Sequence, residues 1–151
     1  MPRIRSIPEE FFVEEIPHTT WSGDGPHTML WIEKRLVNTH DIVKALSAAT
    51  TIPPVEIGFA GRKDRNAVTR QWFSVPRIDP DQALALELGT GVTVLDATRH
   101  AEKLRVGQLS GNRFELVVRD VDATVAEHAE QRLTSIREKG LINRFGSQRF
   151  G

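Results

Sequence analysis

Cysteine is absent from the 151 residues of the chain. Its absence excludes disulfides, thiolate metal sites and a cysteine nucleophile, and it suits a reducing compartment. No apolar run approaches the ~20 residues of a membrane span. The first residues contain no apolar signal-peptide core either. We therefore expect a cytoplasmic protein with no membrane partner.

The motifs of common metal and cofactor sites are also missing. The five histidines lie far apart, at positions 18, 27, 40, 100 and 128, with no HExxH or His-x-His pair. Such spacing does not match the clusters that hold metals in proteins. The phosphate-binding patterns GxxxxGK[ST] and GxGxxG and the nucleophile elbow GxSxG do not occur. We expect neither a metal nor a cofactor.

Acidic and basic residues balance at 20 each, but the basic ones are clustered. They gather in 62–70, in 99–105 and in 137–149. These clusters would form a nucleic-acid-binding face if folding brought them together, because phosphates bind Lys and Arg. Tyrosine is absent, so any aromatic that stacks on a ligand must be one of seven Phe or three Trp.

Hydrophobic alternation and turn residues predict an α+β fold with a mixed, mostly antiparallel sheet and flanking helices. The length fits one domain. The pair Gly111-Asn112 predicts a turn. The segment 141–151 is rich in Phe and Arg, the composition of a binding surface more than of a terminal tail. We therefore expect the chain to be part of a longer protein. Strands are predicted at 10–16, 27–36, 57–60, 69–75, 92–100, 104–109 and 113–119, and helices at 40–49, 79–88 and 123–139.

One loop stands out chemically. Gly61 ends an apolar run, and a single acid, Asp64, follows among Arg62, Lys63 and Arg65. Neighbouring cations favour the ionised carboxylate and also suit phosphates. A carboxylate can attack a sugar carbon or an activated ring and form a covalent intermediate. An exposed turn with a few ion pairs accounts for the same residues equally well.

Four segments of the sequence resemble one enzyme family. Residues 61–71 read GRKDRNAVTRQ and resemble the G-x-K-D-x-x-A-x-T-x-Q motif of the TruD (pseudouridine synthase D) family of tRNA-modifying enzymes. Three further segments agree in the family's order, and His27 and Thr39 also fall at family positions. They are EFFVEE at 10–15, RHAEKLRVGQLSGNRF at 99–114 and NRFGSQRFG at 143–151.

The resemblance implies a tRNA pseudouridine(13) synthase-like enzyme, an isomerase that converts uridine to pseudouridine in tRNA without a cofactor. Asp64 would be the catalytic aspartate, and attack at C1′ of the ribose and at C6 of the uracil both remain open. Phe114 would stack on the flipped uracil, Asn112 would hold the loop near the base, and Glu15 would help to order the site. Arg62, Lys63 and Arg65 would pair with backbone phosphates.

Each of these residues also has an ordinary structural explanation. Phe114 lies on an alternating strand and would be a core residue in most proteins. Asn112 after Gly111 is ordinary turn chemistry. Glu15 is one of four nearby acids and would then be solvated.

The family pattern continues beyond residue 151. The resemblance implies that residues 1–151 are the N-terminal part of the catalytic domain, without the family's inserted domain and C-terminal catalytic segment. We expect turnover of tRNA to need that missing portion of the same protein. Unpaired strand edges and uncovered apolar surface should follow. A non-catalytic RNA-binding module that retains the fold, or a plain interaction domain, remains the alternative.

Overall fold

A computed structural model of the chain describes residues 2–142. The chain divides into two compact units, one of Ile4–Val118 and a second that contains residues 2–3 and begins again at Arg119. Every predicted site residue belongs to the first unit.

The elements follow one another as strands and helices in irregular alternation. The strands are β1 (Arg3–Ile4), β2 (Phe11–Pro17), β3 (His27–Arg35), β4 (Gly58–Phe59), β5 (Val68–Pro76), β6 (Val92–His100), β7 (Leu109–Leu116) and β8 (Val118–Arg119). The helices are α1 (Thr39–Thr50), α2 (Pro80–Leu84) and α3 (Ala123–Lys139). Short 3-10 turns cover Pro8–Glu10 and Pro54–Glu56.

The first unit is built on a six-stranded sheet with the order β6-β3-β5-β2-β7, to which β4 adds by pairing with β5. Strands β2 and β5 are parallel, and the other pairings in this sheet are antiparallel. The prediction of an α+β fold with a mixed, mostly antiparallel sheet is confirmed.

One face of the sheet packs on α1. The helix buries Ile42, Val43 and Leu46, which follow one another at helical spacing. They join Leu30 and Phe73 from the sheet in the main core cluster. Thr51, a residue in the left-handed conformation, ends the helix. The opposite face has a smaller cluster of Met29, Ala60 and Leu104, flanked by Trp21, Trp72 and Leu109.

Two predictions around β7 are wrong. Gly111 and Asn112 do not form a turn, because they lie inside β7, opposite Ile16 and Glu15 of β2. The predicted strand at 104–109 is a turning loop, in which the Gly107 N–H bonds to the Ala60 carbonyl at 2.8 Å. In both cases a contact with a residue distant in sequence decides the local structure: pairing with β2 makes 111–112 a strand, and the bond to Ala60 holds 104–108 as a loop.

Helix α2 is shorter than predicted. It ends at Leu84, although its apolar pattern continues to Leu88. Leu86 and Leu88 still pack on the main core, but from a non-helical segment. The predicted start is confirmed, because Asp79 and Gln82 form a reciprocal capping box around Pro80.

The second unit contains α3, whose predicted bounds are confirmed. The side chain of Asp122 caps it by accepting from the Val125 N–H at 2.8 Å. Val125, Leu133 and Ile136 of its apolar stripe are exposed. Uncovered apolar surface is therefore present, as expected. No helix within residues 2–142 is long and apolar enough to cross a membrane.

Candidate active site

The loop of residues 61–66 connects β4 to β5 and presents Asp64 at the surface. Buried polar side chains hold its main chain. Gln71 donates from Nε2 to the Gly61 carbonyl at 3.0 Å. Thr39 Oγ1 accepts from the Lys63 N–H at 3.0 Å and donates to Gln71 Oε1 at 2.9 Å. The loop is thus fixed to β5 and to the first residue of α1.

A third anchor comes from Lys34, which is completely buried near the end of β3. Its ammonium donates to the Asp64 carbonyl at 2.7 Å and to the Val37 carbonyl at 2.8 Å. Removal from water lowers the pKa of Lys34 to about 8, against the opposing effect of the nearby Asp64 carboxylate. The backbone of Asp64 is therefore held from inside the protein while its side chain stays exposed.

Lys63 and Glu15 form a buried ion pair beside this loop. The Lys63 Nζ to Glu15 Oε2 distance is 2.7 Å, and the side chains are only 4% and 1% exposed. The other Glu15 oxygen accepts from the Trp72 N–H at 3.2 Å. This position corrects the prediction for Lys63, whose ammonium faces Glu15 inside the protein and not a phosphate outside it. It also excludes the solvated alternative for Glu15.

Strand β7 places Asn112 and Phe114 on the same side of the sheet as this pair. Asn112 lies opposite Glu15, and Phe114 lies opposite Val13. Side chains of directly opposed residues share one face of a sheet. Val13 is in turn opposite Thr69, and Thr69 is opposite Lys34, which holds the loop. Asn112, Phe114 and the anchors of Asp64 therefore lie on one face.

Phe114 is not a core residue. Its side chain is 59% exposed, and its ring lies nearly parallel to that of Phe11, 6.1 Å away between centroids. Asn112 Oδ1 is buried but has no hydrogen-bond partner among the described residues. An exposed aromatic ring beside an unsatisfied amide oxygen is unusual for a purely structural strand.

The cations around Asp64 differ in their accessibility. Arg62 and Arg65 are exposed, and Arg65 donates to the Leu36 carbonyl at 3.3 Å. Arg70 forms ion pairs with Glu33 at 2.8 Å and Glu14 at 3.7 Å. Of the predicted phosphate contacts, Arg62 and Arg65 thus remain available at the surface.

The basic cluster of residues 99–105 comes near this loop. Because Gly107 bonds to Ala60, the turn that contains exposed Arg105 runs beside the strand leading into Gly61. Arg99 is engaged with Asp79. The cluster at 137–149 belongs to the second unit, and its last members lie outside the described residues. A single basic face stays a prediction.

Sequence reasoning misses the inner anchors. Alternation puts Lys34 on a strand face with Leu30 and Ile32 but gives it no role. Thr39 and Gln71 stand out in the sequence only as positions of the family pattern. The available signal is a lysine on the apolar face of an alternating strand, because a charge at such a position needs buried partners.

Comparisons with known proteins agree on one family. The family model described as tRNA pseudouridine synthase D (TruD) matches residues 2–151. The tRNA pseudouridine synthase D of Geobacter sp. (strain M21) is 45% identical over 148 residues, which is 98% of this chain and 37% of that protein. That of Thermus thermophilus is also 45% identical, over 98% of this chain and 41% of its own length.

A solved structure gives the same answer. The TruD protein of Methanosarcina mazei superposes with a TM-score of 0.86 at 28% identity, covering 99% of this chain and 35% of that one. The chain therefore spans well under half the length of the relatives that it matches. All four motifs lie within the matched residues. On these grounds the chain belongs to the tRNA pseudouridine synthase D (TruD) family.

Proposed function

We propose that this chain is the nucleophile-bearing part of a tRNA pseudouridine synthase, which isomerises uridine to pseudouridine in tRNA without a cofactor. The observation that carries the proposal is the loop of Asp64. Its main chain is bonded to three buried side chains, Lys34, Thr39 and Gln71, while the Asp64 side chain is exposed. A reacting group needs both accurate placement and access to the substrate.

The chemistry needs only one carboxylate. Asp64 attacks either C1′, which releases the uracil as an anion, or C6, which gives a ring adduct that then separates from the sugar. The base turns over and C5 bonds to C1′. The carboxylate leaves, the C5 proton is lost, and N1 takes up a proton. Every heavy atom of the uridine is retained, so the reaction requires no oxidant, reductant or hydrolytic water.

The strand beside the loop supplies contacts for the base. The exposed ring of Phe114 can stack on an unpaired uracil, an interaction worth about 1–3 kcal/mol per base. The buried Oδ1 of Asn112, which has no partner in the part of the chain that the structure describes, can accept a hydrogen bond at the same face. Arg62 and Arg65, exposed on either side of Asp64, pair with the RNA phosphates. Lys63 and Glu15 support the loop and do not contact the substrate.

We propose that the catalytic domain is completed by a further part of the same protein. We assign residues 1–151 to the N-terminal part of that domain, as the resemblance implies, and the match to only 37% and 41% of two bacterial relatives fits a part of a longer protein. The exposed Leu116 of edge strand β7 and the exposed stripe of α3 offer surface for it. We assign the activity to the cytoplasm, where the proposed tRNA substrate is found, and the cysteine-free composition of the chain suits such a reducing compartment.

The experiment compares Asp64→Asn with the unchanged protein, each expressed from the complete reading frame that encodes this chain. Tritium at C5 of uridine is released when C5 bonds to C1′, so release from labelled tRNA measures the reaction. We expect Asp64→Asn to lose at least about 1,000-fold in rate, as removal of a nucleophile does. Asp81→Asn, at an exposed acid of α2, is the matched control and should be unaffected.

Two results would overturn the proposal. If Asp64→Asn releases tritium as fast as the unchanged protein, Asp64 is not the nucleophile. An unchanged protein that binds tRNA but releases no tritium would be an RNA-binding module that retains the fold. Whether the protein is an enzyme or only an RNA-binding module, its affinity for tRNA must fall as salt rises, because phosphate contacts release counterions.

A further inference from the structure

We propose that Lys34 is a positioning residue for the reaction, which fixes the Asp64 main chain from beneath and keeps a positive charge under the nucleophile. This inference rests on the proposed function. It concerns a side chain that never meets the substrate, because Lys34 is completely buried.

The ammonium of Lys34 joins two separate segments. It bonds to the carbonyl of Val37, just before α1, and to the carbonyl of Asp64, at 2.8 and 2.7 Å. The Lys63 carbonyl lies at the limit of bonding distance, 3.5 Å. A single cation that satisfies carbonyls from both segments leaves neither able to shift alone.

Two other bonds join the same segments. Leu36 adopts the left-handed conformation, with φ of 59°. Its carbonyl accepts from Arg65 Nε at 3.3 Å. Thr39 Oγ1 accepts from the Lys63 N–H at 3.0 Å. Residues 36–39 and 63–65 are thus connected at three points, and of these three the bond from Lys34 is the one that reaches Asp64 itself.

A charge at this position is costly, so its presence requires a compensating role. Burying an ammonium without a carboxylate in direct contact is unfavourable. Among the described residues the Lys34 donors meet only main-chain carbonyls. In the sheet Lys34 lies opposite Thr69 of β5. Of the charges around it, the Asp64 carboxylate stabilises the ammonium and the Lys63 ammonium opposes it. Lys63 is itself paired with Glu15.

The charge also has a consequence during the reaction. When the Asp64 carboxylate bonds to the substrate, it loses its negative charge, and the ammonium beneath it loses its nearby counter-charge. The field of Lys34 therefore favours breaking that bond and restoring the carboxylate. Lys34 acts on both the placement of Asp64 and the breakdown of the covalent intermediate.

The test uses Lys34→Met, Lys34→Arg and the control Lys44→Met in the product of the complete reading frame. Lys44 is an exposed lysine of α1. We expect Lys34→Met to lower kcat by about 10- to 100-fold, the effect of a displacement of the reacting group by about 1 Å. KM should change little, because the RNA contacts are at the surface. Lys44→Met should leave both constants unchanged.

The pH profile adds a readout that a merely structural lysine would not move. Because burial lowers the pKa of Lys34 to about 8, the unchanged enzyme should lose kcat between about pH 7.5 and pH 9 as the ammonium loses its proton. Lys34→Arg stays charged in this range, so its profile should remain flat, whatever its absolute rate. Other titrating groups are common to both proteins and cancel in the comparison.

The outcomes separate the two proposals. If Asp64→Asn is inactive while Lys34→Met matches Lys44→Met, the role of Lys34 is refuted and the proposed function stands. If Asp64→Asn is active, the proposed function fails. If Lys34→Met does not fold by circular dichroism, Lys34→Arg decides, and a profile that falls as that of the unchanged enzyme does would refute the role of the charge.

Discussion

Replacing Lys63 by Met should destabilise the first unit far more than a surface substitution does. Methionine matches the length of lysine but carries no charge, so Glu15 would remain as a carboxylate that is 1% exposed and has lost its cation at 2.7 Å. Within residues 2–142, only the Trp72 N–H, at 3.2 Å, would still bond to it. Removing one partner of a buried pair costs about 3–5 kcal/mol.

Urea unfolding followed by tryptophan fluorescence would measure this cost. Trp21, Trp31 and Trp72 all lie in the first unit, so the signal reports on the part of the protein that contains the pair. In the double variant Glu15→Gln/Lys63→Met both charges are gone, and its destabilisation should be smaller than the sum of the single effects.

Arg113→Met is the matched control. Arg113 and Glu115 also lie 2.7 Å apart, but their side chains are 62% and 56% exposed. Exposed pairs contribute about 0–1 kcal/mol. If Lys63→Met costs no more than Arg113→Met, the Lys63–Glu15 pair is not a buried anchor of the loop and the reasoning fails.

Three further predictions concern Phe114, Gly58 and Lys34. Phe114→Ala should lower the free energy of unfolding by about 1 kcal/mol or less, because the ring is exposed. Under the proposed function, the same variant of the complete protein should form pseudouridine about 10- to 100-fold more slowly through lost stacking. Phe73→Ala, at a fully buried ring, should cost about 3–5 kcal/mol in unfolding. Gly58→Ala should cost about 2 kcal/mol in urea unfolding because its methyl group would meet the Leu104 carbonyl and the Ser74 hydroxyl, whereas Gly111→Ala meets nothing and should stay within about 0.5 kcal/mol. The depressed pKa of Lys34 means that the unfolded chain binds the proton more tightly, so the cost of burying the charge is present in full below about pH 8 and is relieved as pH rises toward the unfolded value of 10.5. Between about pH 8 and pH 10.5 the free energy of unfolding of the unchanged protein should therefore rise by about 2–3 kcal/mol relative to that of Lys34→Met. A difference in unfolding free energy that does not vary with pH would contradict the lowered pKa of Lys34.

Much of the fold follows from local patterns in the sequence. Strand β6 and helix α3 have the predicted bounds, and β2, β3 and β5 differ by one or two residues at their ends. These elements have strong alternation or helical spacing and clear terminating residues. The turn predicted at Gly111-Asn112 failed because β2, almost a hundred residues earlier, offers these residues a pairing partner. Local turn preference is weak compared with a complete ladder of strand hydrogen bonds.

The site was predictable in part, for a similar reason. The motif around Asp64 indicated the loop, and the structure presents that carboxylate at the surface. The resemblance implied that Glu15 would order the site, but the contacts that support the loop were not predictable, because the bonded residues are distant in sequence. Nothing near Lys63 indicates that its cation turns inward to Glu15, 48 residues away. Nothing near Lys34 indicates that it reaches the Asp64 carbonyl, 30 residues away.

The parallel pairing of β2 with β5 also determines when the site can form during synthesis. Strand β2 is made early, but both of its neighbours in the sheet, β5 and β7, come later in the chain. The intervening residues 18–67 must first supply β3, α1 and β4. Non-local pairings of this kind form slowly, because the entropy of closing long loops is lost before contacts are gained. A nascent chain therefore carries Phe11, Val13 and Glu15 without their full set of partners until residue 116 has emerged, and in that interval β2 is open to non-native pairing or chaperone binding.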